Sequence, residues 1–487
     1  MLIERNGTLP YNAALAWIAA NTELIDQTRM AIWEYAELGL KEYKSAALLA
    51  DILERAGFTV QLGAAGMPTA IVASYKSRQE EKEKGKGLVI GFLAEYDALP
   101  EVSQAATYER QPLIPNGNGH GCGHNLLGAG VLGAALAVKA ALDTGKIAGE
   151  VRFYGCPAEE LLLGKVLMVK AGLFSDCDIA ITWHPSSKNK VCGLRHLAMN
   201  SVKFNFYGIS THASGSPDKG RSALDAVELM NVGTNFLREH VNSRVRIHYV
   251  VTNGGIQPNV VPSYSQVWYY VRAPRRREVE EVYKRVLDIA QGAALMAGVT
   301  HDVEFVSGCS DTVPNEPLLA AVQANLVKSG GNRFTKAEKE FARKLIATLS
   351  PSPENGRQAA AGGAGGKNSA EGADEVMQEE ILPDDGNRGI AYGSTDVGDV
   401  SWVIPTVIFE TACWPKGNPG HSWQTTAAAG SALGLRGTVL AARVMALTAI
   451  DCFTDEDLVR RAKEDFERQT AGTPYKSPLP DDMQLKI

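Results

Sequence analysis

The sequence predicts an α/β protein with a mostly parallel sheet that carries helices on both faces, interrupted by a smaller βαββαβ unit of ferredoxin-like order. Three observations lead to this fold class. Short apolar runs alternate with helical stretches before residue 198. Between about 198 and 308 the order is richer in strands. After this part, the alternation of apolar runs and helical stretches resumes. At 487 residues the chain is about three times as long as one core usually requires, so about two to three compact units are expected.

The first part of the large domain, the catalytic domain, is predicted over 1–197. Apolar residues recur at helical spacing from about Leu24 to Gly57, and the runs that follow are predicted as strands: PTAIVASY, GLVIGFLAEYD, EVRFYGCP and CDIAITWHP. Strands that alternate with helices favour parallel pairing. The apolar stretch from Leu126 to Leu142 is interrupted by Lys139 and is shorter than the ~20 residues of a membrane span, so it is predicted as a buried helix.

The second unit is predicted over 198–308 as a lid or dimerisation domain. Its elements are predicted in the order strand SVKFNFYG, helix SALDAVELMNVGTNFLREH, strands RVRIHYVV and QVWYYVRAP, helix EVEEVYKRVLDIAQGAALMAG and strand HDVEFVSG. The catalytic domain then resumes over 309–487. This part contains an Ala-, Gly- and Pro-rich stretch at about 350–385 that is predicted as a flexible loop, followed by the strand-like TVIFE and a long Ala-rich helix from about Thr426 to Ile450.

The charge, the cysteine content and the first residues of the chain indicate which kinds of partner and location are expected. Lys and Arg number 49 against 55 Asp and Glu, which gives a net charge of -6 and argues against a nucleic-acid surface. Seven cysteines is an odd number in a long chain, so reduced thiols and a cytoplasmic location are expected. The first twenty residues lack the basic start of a signal peptide and are predicted to form a helix. Neither a nucleic acid nor a membrane is therefore expected as a partner.

Polar side chains with metal-binding chemistry follow the predicted strands. Because ligands bind outside the carboxyl ends of the strands in open α/β sheets, these side chains are expected to lie together. Imidazole, thiolate and carboxylate groups bind transition metals, with zinc favoured by the sulfur and manganese possible through the oxygens. The side chains in question are Glu95, Asp97, His120, Cys122, His124, Glu159, Glu160 and His184.

Each of these motifs also has a structural interpretation when taken alone. Cys122 and His124 lie two residues apart in a segment with four glycines, which suits a metal loop but also a buried thiol beside a capping imidazole. Adjacent carboxylates at 159 and 160 diverge on extended backbone, so one can bind metal while the other faces a water, yet they could also be solvated. His184 alone would be interpreted as a core histidine. The structural interpretation of all three motifs requires three coincidences.

The order and spacing of the motifs resemble those of the metal-dependent amidohydrolase, aminoacylase and carboxypeptidase family, especially its branch of aminobenzoyl-glutamate hydrolases and related dipeptidases. The motifs are EYDALP, GHGCGHN, PAEE, WHP, THASGSPDKGRSALDA, GGIQPNVVP, STDVGDVSW and GHSW. The resemblance implies a site for two divalent metal ions, zinc or manganese, in which metal-activated water attacks an amide and Glu159 is the general base. The implied metal ligands are Cys122, His124, Glu160, His184 and His421.

The resemblance also implies roles for residues around the ions. Asp97 is expected to orient a ligand, and Glu95 occupies the position of a metal-binding histidine in other branches, a function that the Cys122 loop is expected to supply here. His212 and Asn259 are implied as donors to the developing oxyanion, the histidine from a partner protomer. From the residues alone, both could equally be ordinary loop side chains. The expected assembly is a homodimer or a heterodimer with a paralogous subunit.

The expected substrate is a small amide with a free carboxylate: an N-acyl or aminobenzoyl amino acid, with glutamate as the first leaving group to test. Arg221 and Arg272 are candidates to bind that carboxylate, although such arginines more often form surface ion pairs. Trp183, Trp414 and Trp423 could hold an aromatic acyl group or pack in the core. The alternatives are a dipeptidase acting on lysine- or ornithine-containing dipeptides, or a non-catalytic subunit of a heteromeric hydrolase.

One departure from the family pattern concerns the cleft. The Glu-Glu pair is usually followed by glycines and small residues, whereas Leu161, Leu162 and Leu163 follow it here. If these leucines line the cleft, the substrate is expected to be bulkier or more apolar on that side. Two other classes of enzyme are disfavoured because the sequence contains neither a G-x-S-x-G elbow nor the zinc deaminase signature.

Overall fold

The computed structural model describes residues 9–77, 87–349, 375–481 and 483. The described helices are α1 (Leu9–Ala20), α2 (Thr22–Tyr35), α3 (Tyr43–Arg55), α4 (His124–Leu142), α5 (Gly164–Lys170), α6 (Ala223–Leu237), α7 (Arg276–Ala297), α8 (Glu316–Ser329), α9 (Lys336–Ala347), α10 (Val397–Ser401), α11 (Trp423–Ala429), α12 (Ala432–Thr454) and α13 (Glu456–Thr470). The described strands are β1 (Thr59–Leu62), β2 (Ile71–Lys76), β3 (Val89–Ala94), β4 (Glu150–Gly155), β5 (Ile179–Ser186), β6 (Lys190–Val191), β7 (Arg195–His196), β8 (Ala198–Tyr207), β9 (Arg246–Asn253), β10 (Tyr264–Ala273), β11 (Thr300–Cys309), β12 (Ile390–Ala391) and β13 (Thr406–Ala412).

A seven-stranded sheet in the order β1-β2-β4-β3-β5-β13-β6 forms the centre of the molecule. Strands β4, β3, β5 and β13 are parallel neighbours, whereas β1–β2, β2–β4 and β13–β6 pair antiparallel. The fold is therefore mixed α/β, and the prediction of a mostly parallel sheet is correct only for the central strands. The reason at one edge is the short connection from β1 to β2, because parallel strands need a crossover of about a dozen residues or more.

The two faces of this sheet are covered differently. On one face, Phe92, Phe153 and Phe409 pack in a large core with residues of α1, α2, α4, α8 and α12. On the other face, Leu93 and Tyr154 pack against residues of α5 and α10. The large core thus supports one face of the strands, and a smaller cluster covers the other face.

Helices α4 and α12 lie at the centre of the large core. Among the described helices, these two are long and apolar enough to cross a membrane by length and composition. However, 89% of the apolar window of α4 and 78% of that of α12 are buried inside the protein. The apolar stretch from Leu126 to Leu142, predicted as a buried helix, forms most of α4.

A second sheet lies between residues 198 and 309. It has the antiparallel order β11-β8-β10-β9, and the chain passes through it as β8, α6, β9, β10, α7 and β11. Alternate residues of β10, such as Tyr269 and Val271, pack against α6 and α7, while Tyr270 packs toward the cluster that contains α5. The domain boundaries after residues 197 and 308, and the function of this part as a lid or dimerisation domain, stay predictions.

Two predicted elements, a helix and a loop, differ in part from the elements that the structure shows. The helix predicted from about Thr426 to Ile450 is divided into α11 and α12, because Ser431 caps the start of α12 and the interruption at Gly430 sits against the Trp33 ring. Of the loop predicted at about 350–385, residues 350–374 lie outside the described residues. Residues 375–385 contain no helix or strand, but Met377 is buried against Phe334 and Leu433.

Candidate metal centre

Three strand ends and the start of one helix converge on one edge of the central sheet. Glu95 and Asp97 directly follow β3, the segment after β4 carries Glu159 and Glu160, and His184 lies near the end of β5. Because β3, β4 and β5 are parallel, their carboxyl ends lie side by side, as expected from the sequence. The remaining groups are His124, the first residue of α4, Cys122 in the loop before it, and His421, two residues before α11.

These side chains form three groups whose candidate ligand atoms lie within 4.8 Å of one another. Two of the groups share the Cys122 thiol. A sulfur that belongs to two groups at once can bridge two ions, which is the arrangement expected of a dinuclear centre. The groups are Cys122, His124 and His184; Cys122, Glu160 and His421; and Glu95, His124 and Glu159.

Distances between the ligand atoms suit metal ions. Ligands bound at about 2.0–2.3 Å around a tetrahedral ion lie about 3.3–3.8 Å apart. Cys122 Sγ is 3.5 Å from His184 Nε2, and Glu160 Oε2 is 3.7 Å from His421 Nε2. Among the described residues, the buried atoms His124 Nε2 and Glu160 Oε1 have no hydrogen-bond partner. Unpartnered buried polar atoms are costly, so these donor sets fit divalent metal ions that would satisfy them.

Asp97 connects two parts of the centre. The Nδ1–H of His124 donates to Asp97 Oδ1 at 2.7 Å, which turns Nε2 toward the other ligand atoms. The backbone N–H of Glu160 donates to Asp97 Oδ2 at 2.8 Å. One buried carboxylate therefore fixes both the imidazole orientation of His124 and the backbone next to Glu160.

The loops that carry the ligands adopt conformations that require particular residues. Gly123 has a φ of 81° and lies against Pro185 and Trp414, where a Cβ would come within 3.0 Å of both side chains. Ala158, with a φ of 56°, is held by its N–H bond to the buried Glu42 carboxylate at 2.8 Å. Left-handed backbone at residues other than glycine is uncommon and concentrates at functional sites.

Burial favours the neutral forms of the buried acidic groups at the centre. Burial raises the pKa of the Cys122 thiol, and the nearby Glu160 carboxylate raises it further. Burial also raises the pKa of Glu160 to about 7 and that of Glu159 well above its ordinary value. Metal ligands must be deprotonated, so divalent ions would displace the protons of Cys122 and Glu160 on binding.

The other polar residues expected near the ions have different surroundings. His212 and Asn259 are exposed on adjacent loops, joined by the N–H of Ala213 donating to Asn259 O at 3.0 Å. Neither is one of the candidate metal ligands among the described residues, and their role as donors to the oxyanion stays a prediction. His120 is buried with its Nε2 2.9 Å from Ile32 O, so it is a core histidine.

The leucines after the Glu-Glu pair and the tryptophans are mostly structural. Leu162 and Leu163 are buried in the cluster that contains α5, and only Leu161 is exposed, at 40%. Trp183 is buried in the large core, where its indole N–H donates to Leu127 O at 3.3 Å. Trp414 is buried in the same core. Of the three leucines, only Leu161 is therefore exposed enough to contact a substrate, and a bulkier or more apolar substrate on that side stays a prediction.

Sequence reasoning missed a buried cation behind the site. Lys165, the second residue of α5, is completely buried, and its ammonium lies 2.7 Å from Glu95 Oε1 and 2.6 Å from Asp396 Oδ1. Asp396 belongs to the STDVGDVSW motif, which indicated function without assigning a role to this residue. Nothing in the sequence indicates that Lys165 is buried, because a lysine between Gly164 and Val166 at the start of a helix is usually exposed to solvent.

The two candidate arginines differ in their surroundings. Arg221 donates to Gly220 O at 2.6 Å and to Asp218 O on its own exposed loop. Arg272 lies on β10 with its guanidinium 5.4 Å from the Tyr270 ring centre; its Nη1 donates to Ser394 Oγ at 3.1 Å, and its buried Nε has no partner among the described residues. Burial raises the pKa of Tyr270. The positive charge of Arg272 lowers this pKa, and the negative charge of Glu160 raises it.

Comparison with known proteins relates this geometry to characterised chains. A family model described as peptidase family M20/M25/M40 matches residues 91–425. The chain is 41% identical over 469 residues to one of the subunits of the p-aminobenzoyl-glutamate hydrolase of Escherichia coli (strain K12), with 94% of each chain covered. It is 30% identical over 451 residues to the Xaa-Arg dipeptidase of Homo sapiens, covering 90% of this chain and 87% of the relative.

The fold is likewise similar to that of a solved structure. A dinuclear metal-binding peptidase of the M20 family from Bacillus subtilis has a TM-score of 0.53 and 16% identity, covering 88% of this chain and 99% of that chain. At this identity the likeness concerns the fold alone. It agrees with a mixed α/β architecture built around a large sheet.

Proposed function

Because this chain belongs to peptidase family M20/M25/M40, we propose that it hydrolyses the amide bond of an N-acyl or aminobenzoyl amino acid at a centre of two divalent metal ions. The observation that carries this proposal is the Cys122 thiol shared by two ligand groups, with Glu159 beside them. The relative at 41% identity, a p-aminobenzoyl-glutamate hydrolase chain, supports an aminobenzoyl-amino acid as the first substrate to test.

The proposed ligand sets follow the first two groups. One ion is held by Cys122, His124 and His184, and the other by Cys122, Glu160 and His421. When bound, two such ions polarise the amide carbonyl and acidify a water. Zinc suits the thiolate and imidazoles, and manganese suits the carboxylate, so the donor set supports either metal.

Glu159 is proposed to move the proton. Its Oε2 lies 3.9 Å from His124 Nε2, close to the ligand atoms but in neither of the two groups that share Cys122. Burial raises the pKa of Glu159, as do the neighbouring carboxylates Glu95 and Asp396, which suits a base that holds a proton at Oε2 and returns it to the leaving amine. Asp97 keeps His124 oriented while this occurs.

Arg272 is proposed to bind the substrate carboxylate. The Nε of Arg272 is buried without a hydrogen-bond partner among the described residues, and the guanidinium forms no ion pair with any of these residues. The guanidinium therefore has N–H donors available for an anion. Arg221 donates to carbonyls of its own loop instead. Through Ser394, Arg272 contacts the segment that contains Asp396, which connects it to the centre.

Replacing Arg272 by Met is expected to raise KM by about 10- to 100-fold, because a hydrogen-bonded charge contributes about 1.5–3 kcal/mol. The measurement compares p-aminobenzoyl-glutamate with the analogue whose α-carboxylate is an amide. Only the acid should lose affinity in Arg272→Met, whereas Arg221→Met should leave both substrates unchanged. Equal losses for acid and amide, or an effect confined to Arg221→Met, would contradict this assignment.

The part between residues 198 and 308 is proposed to complete the site as a lid or dimerisation domain. His212 and Asn259 are exposed on it, and Ile256 nearby is 94% exposed, which supports contact with a second chain that brings these polar groups to the oxyanion. The partner is proposed to be a second copy or a paralogous subunit. The relative at 41% identity is one of two kinds of hydrolase chain in Escherichia coli, which supports the latter.

A dipeptidase is the second candidate function. Glu410 on β13 lies opposite His184 in the register with β5, and the two side chains share one face of the sheet. Its carboxylate accepts from Ser186 Oγ at 2.9 Å, and Lys190 is 3.9 Å away. A carboxylate beside the ligands could pair with a basic side chain, which is consistent with the dipeptidase relative at 30% identity.

Activity of the purified chain distinguishes these candidates. The chain is loaded with zinc or manganese and offered p-aminobenzoyl-glutamate, acyl amino acids, and dipeptides that contain arginine, lysine or ornithine. We expect release of p-aminobenzoate that stops on treatment with a chelator and returns with the metal. Cleavage of dipeptides alone would replace the substrate but keep the mechanism, and no hydrolysis by the metal-loaded chain would support a non-catalytic subunit.

A further inference from the structure

Lys165 forms a completely buried ion cluster directly behind the metal centre. Its Nζ contacts one oxygen of Glu95 and one oxygen of Asp396, at 2.7 and 2.6 Å. The other oxygen of Asp396 accepts the backbone N–H of Lys165 at 2.9 Å. Asp396 thus holds both the ammonium and the start of α5. A buried charge without partners is very unfavourable, so this cluster fixes where each of its members lies.

The two oxygens of Glu95 have different surroundings. Oε1 is bound to Lys165, whereas Oε2 is buried without a hydrogen-bond partner among the described residues. Oε2 lies 3.3 Å from His124 Nε2, which is also unpartnered. These two buried polar atoms face each other at the distance that separates neighbouring ligands of one metal ion. Their arrangement indicates that both bind a metal ion that would lie between them.

We propose that Glu95 is a ligand of the ion that His124 holds, and that Lys165 is the positioning residue that presents the free Glu95 oxygen to this ion. The proposal rests on the metal centre proposed above. It differs from the expectation, drawn from the sequence resemblance, that the Cys122 loop takes over at this position. Lys165 occupies one oxygen of Glu95 and leaves the other to bind the ion, so the carboxylate would be monodentate.

Two variants test the two halves of this proposal. Glu95→Gln keeps the shape but removes the charged ligand. The double variant Lys165→Met, Asp396→Asn removes the tether and its counter-charge together, so the net charge of the site does not change, and in the metal-loaded protein the bound ion remains the counter-charge of Glu95. Glu150→Gln serves as the matched control, because this carboxylate is also buried and paired with a basic side chain, Arg152, but lies at the start of β4 and belongs to none of the three ligand groups found among the described residues.

The measurement is the dissociation constant of each ion, obtained by chelator competition with zinc, and the absorption spectrum of the cobalt-substituted protein. We expect Glu95→Gln to weaken one of the two ions by more than about 100-fold and to leave the other unchanged. The double variant should weaken the same ion by about tenfold while its Tm stays close to that of the original protein. Glu150→Gln should retain both constants.

Unchanged constants in Glu95→Gln would show that Glu95 is not a ligand, and unchanged constants in the double variant would show that Lys165 does not position it. If the double variant does not fold, Lys165→Arg, which keeps the charge but alters the reach, should weaken the same ion, and unchanged binding in this variant would refute the positioning function. A failure of the proposed function looks different: the original protein would then bind no pair of ions, or would bind them without hydrolysing any amide.

Discussion

Glu159→Gln is expected to lower kcat by about 10³- to 10⁴-fold while the protein keeps both metal ions. The amide of glutamine has nearly the shape of the carboxylate but cannot accept the proton of a water. Glu159 belongs to neither of the groups that share Cys122, so its replacement leaves those donor atoms in place. The expected result is a folded, metal-loaded and nearly inactive enzyme.

Steady-state hydrolysis and elemental analysis of the same preparation measure both parts of this expectation. Glu160→Gln is the control, because this neighbour is a proposed ligand, with its Oε2 3.7 Å from His421 Nε2. It should lose metal as well as activity. Loss of an ion from Glu159→Gln, or hydrolysis near the original rate, would refute the separation of base and ligand between the two adjacent carboxylates.

Cys122→Ala is expected to abolish detectable hydrolysis and to weaken both ions together. The thiol is the one candidate donor common to the two proposed ligand sets, so its removal takes a donor from each. Loss of a ligand should exceed the about 10- to 100-fold effect of losing an outer hydrogen-bond partner, so we expect more than a 100-fold increase in each dissociation constant.

Cys452→Ala, in the buried part of α12, is the control for removing a thiol and should leave both ions in place. The two constants are measured separately by chelator competition. Retention of one ion at its original affinity in Cys122→Ala would mean that the sulfur serves only one ion. That result would contradict a bridging thiolate but would still allow hydrolysis at a different dinuclear centre.

The parallel strands at the centre of the sheet could be predicted because each of them corresponds to a short pattern in the sequence. The runs at β3, β4, β5 and β13 are apolar and bounded by polar residues, and their alternation with helices favours parallel pairing. The antiparallel partners β2 and β6 were not predictable in the same way. Their direction depends on which strand they pair with, which is a property of the whole sheet.

The candidate site shows the same contrast. Cys122, His124, Glu160 and His184 occur in short motifs with the chemistry of metal ligands, and the structure brings them close together. Lys165 lies 70 residues from Glu95 and 231 residues from Asp396, so its role depends on contacts that the sequence pattern does not contain. A buried lysine can be recognised only when its partners are known.

The double attachment of Asp97 has a consequence for how this family of sites can change over evolution. Its two bonds tie the start of α4 to the backbone beside Glu160 without involving any side chain that lines the outer cleft. Mutations at nearby exposed residues, for example Leu161, can therefore accumulate while the spacing of the candidate metal ligands is conserved. Such a scaffold allows new substrate preferences to arise by single steps that do not pass through an inactive protein.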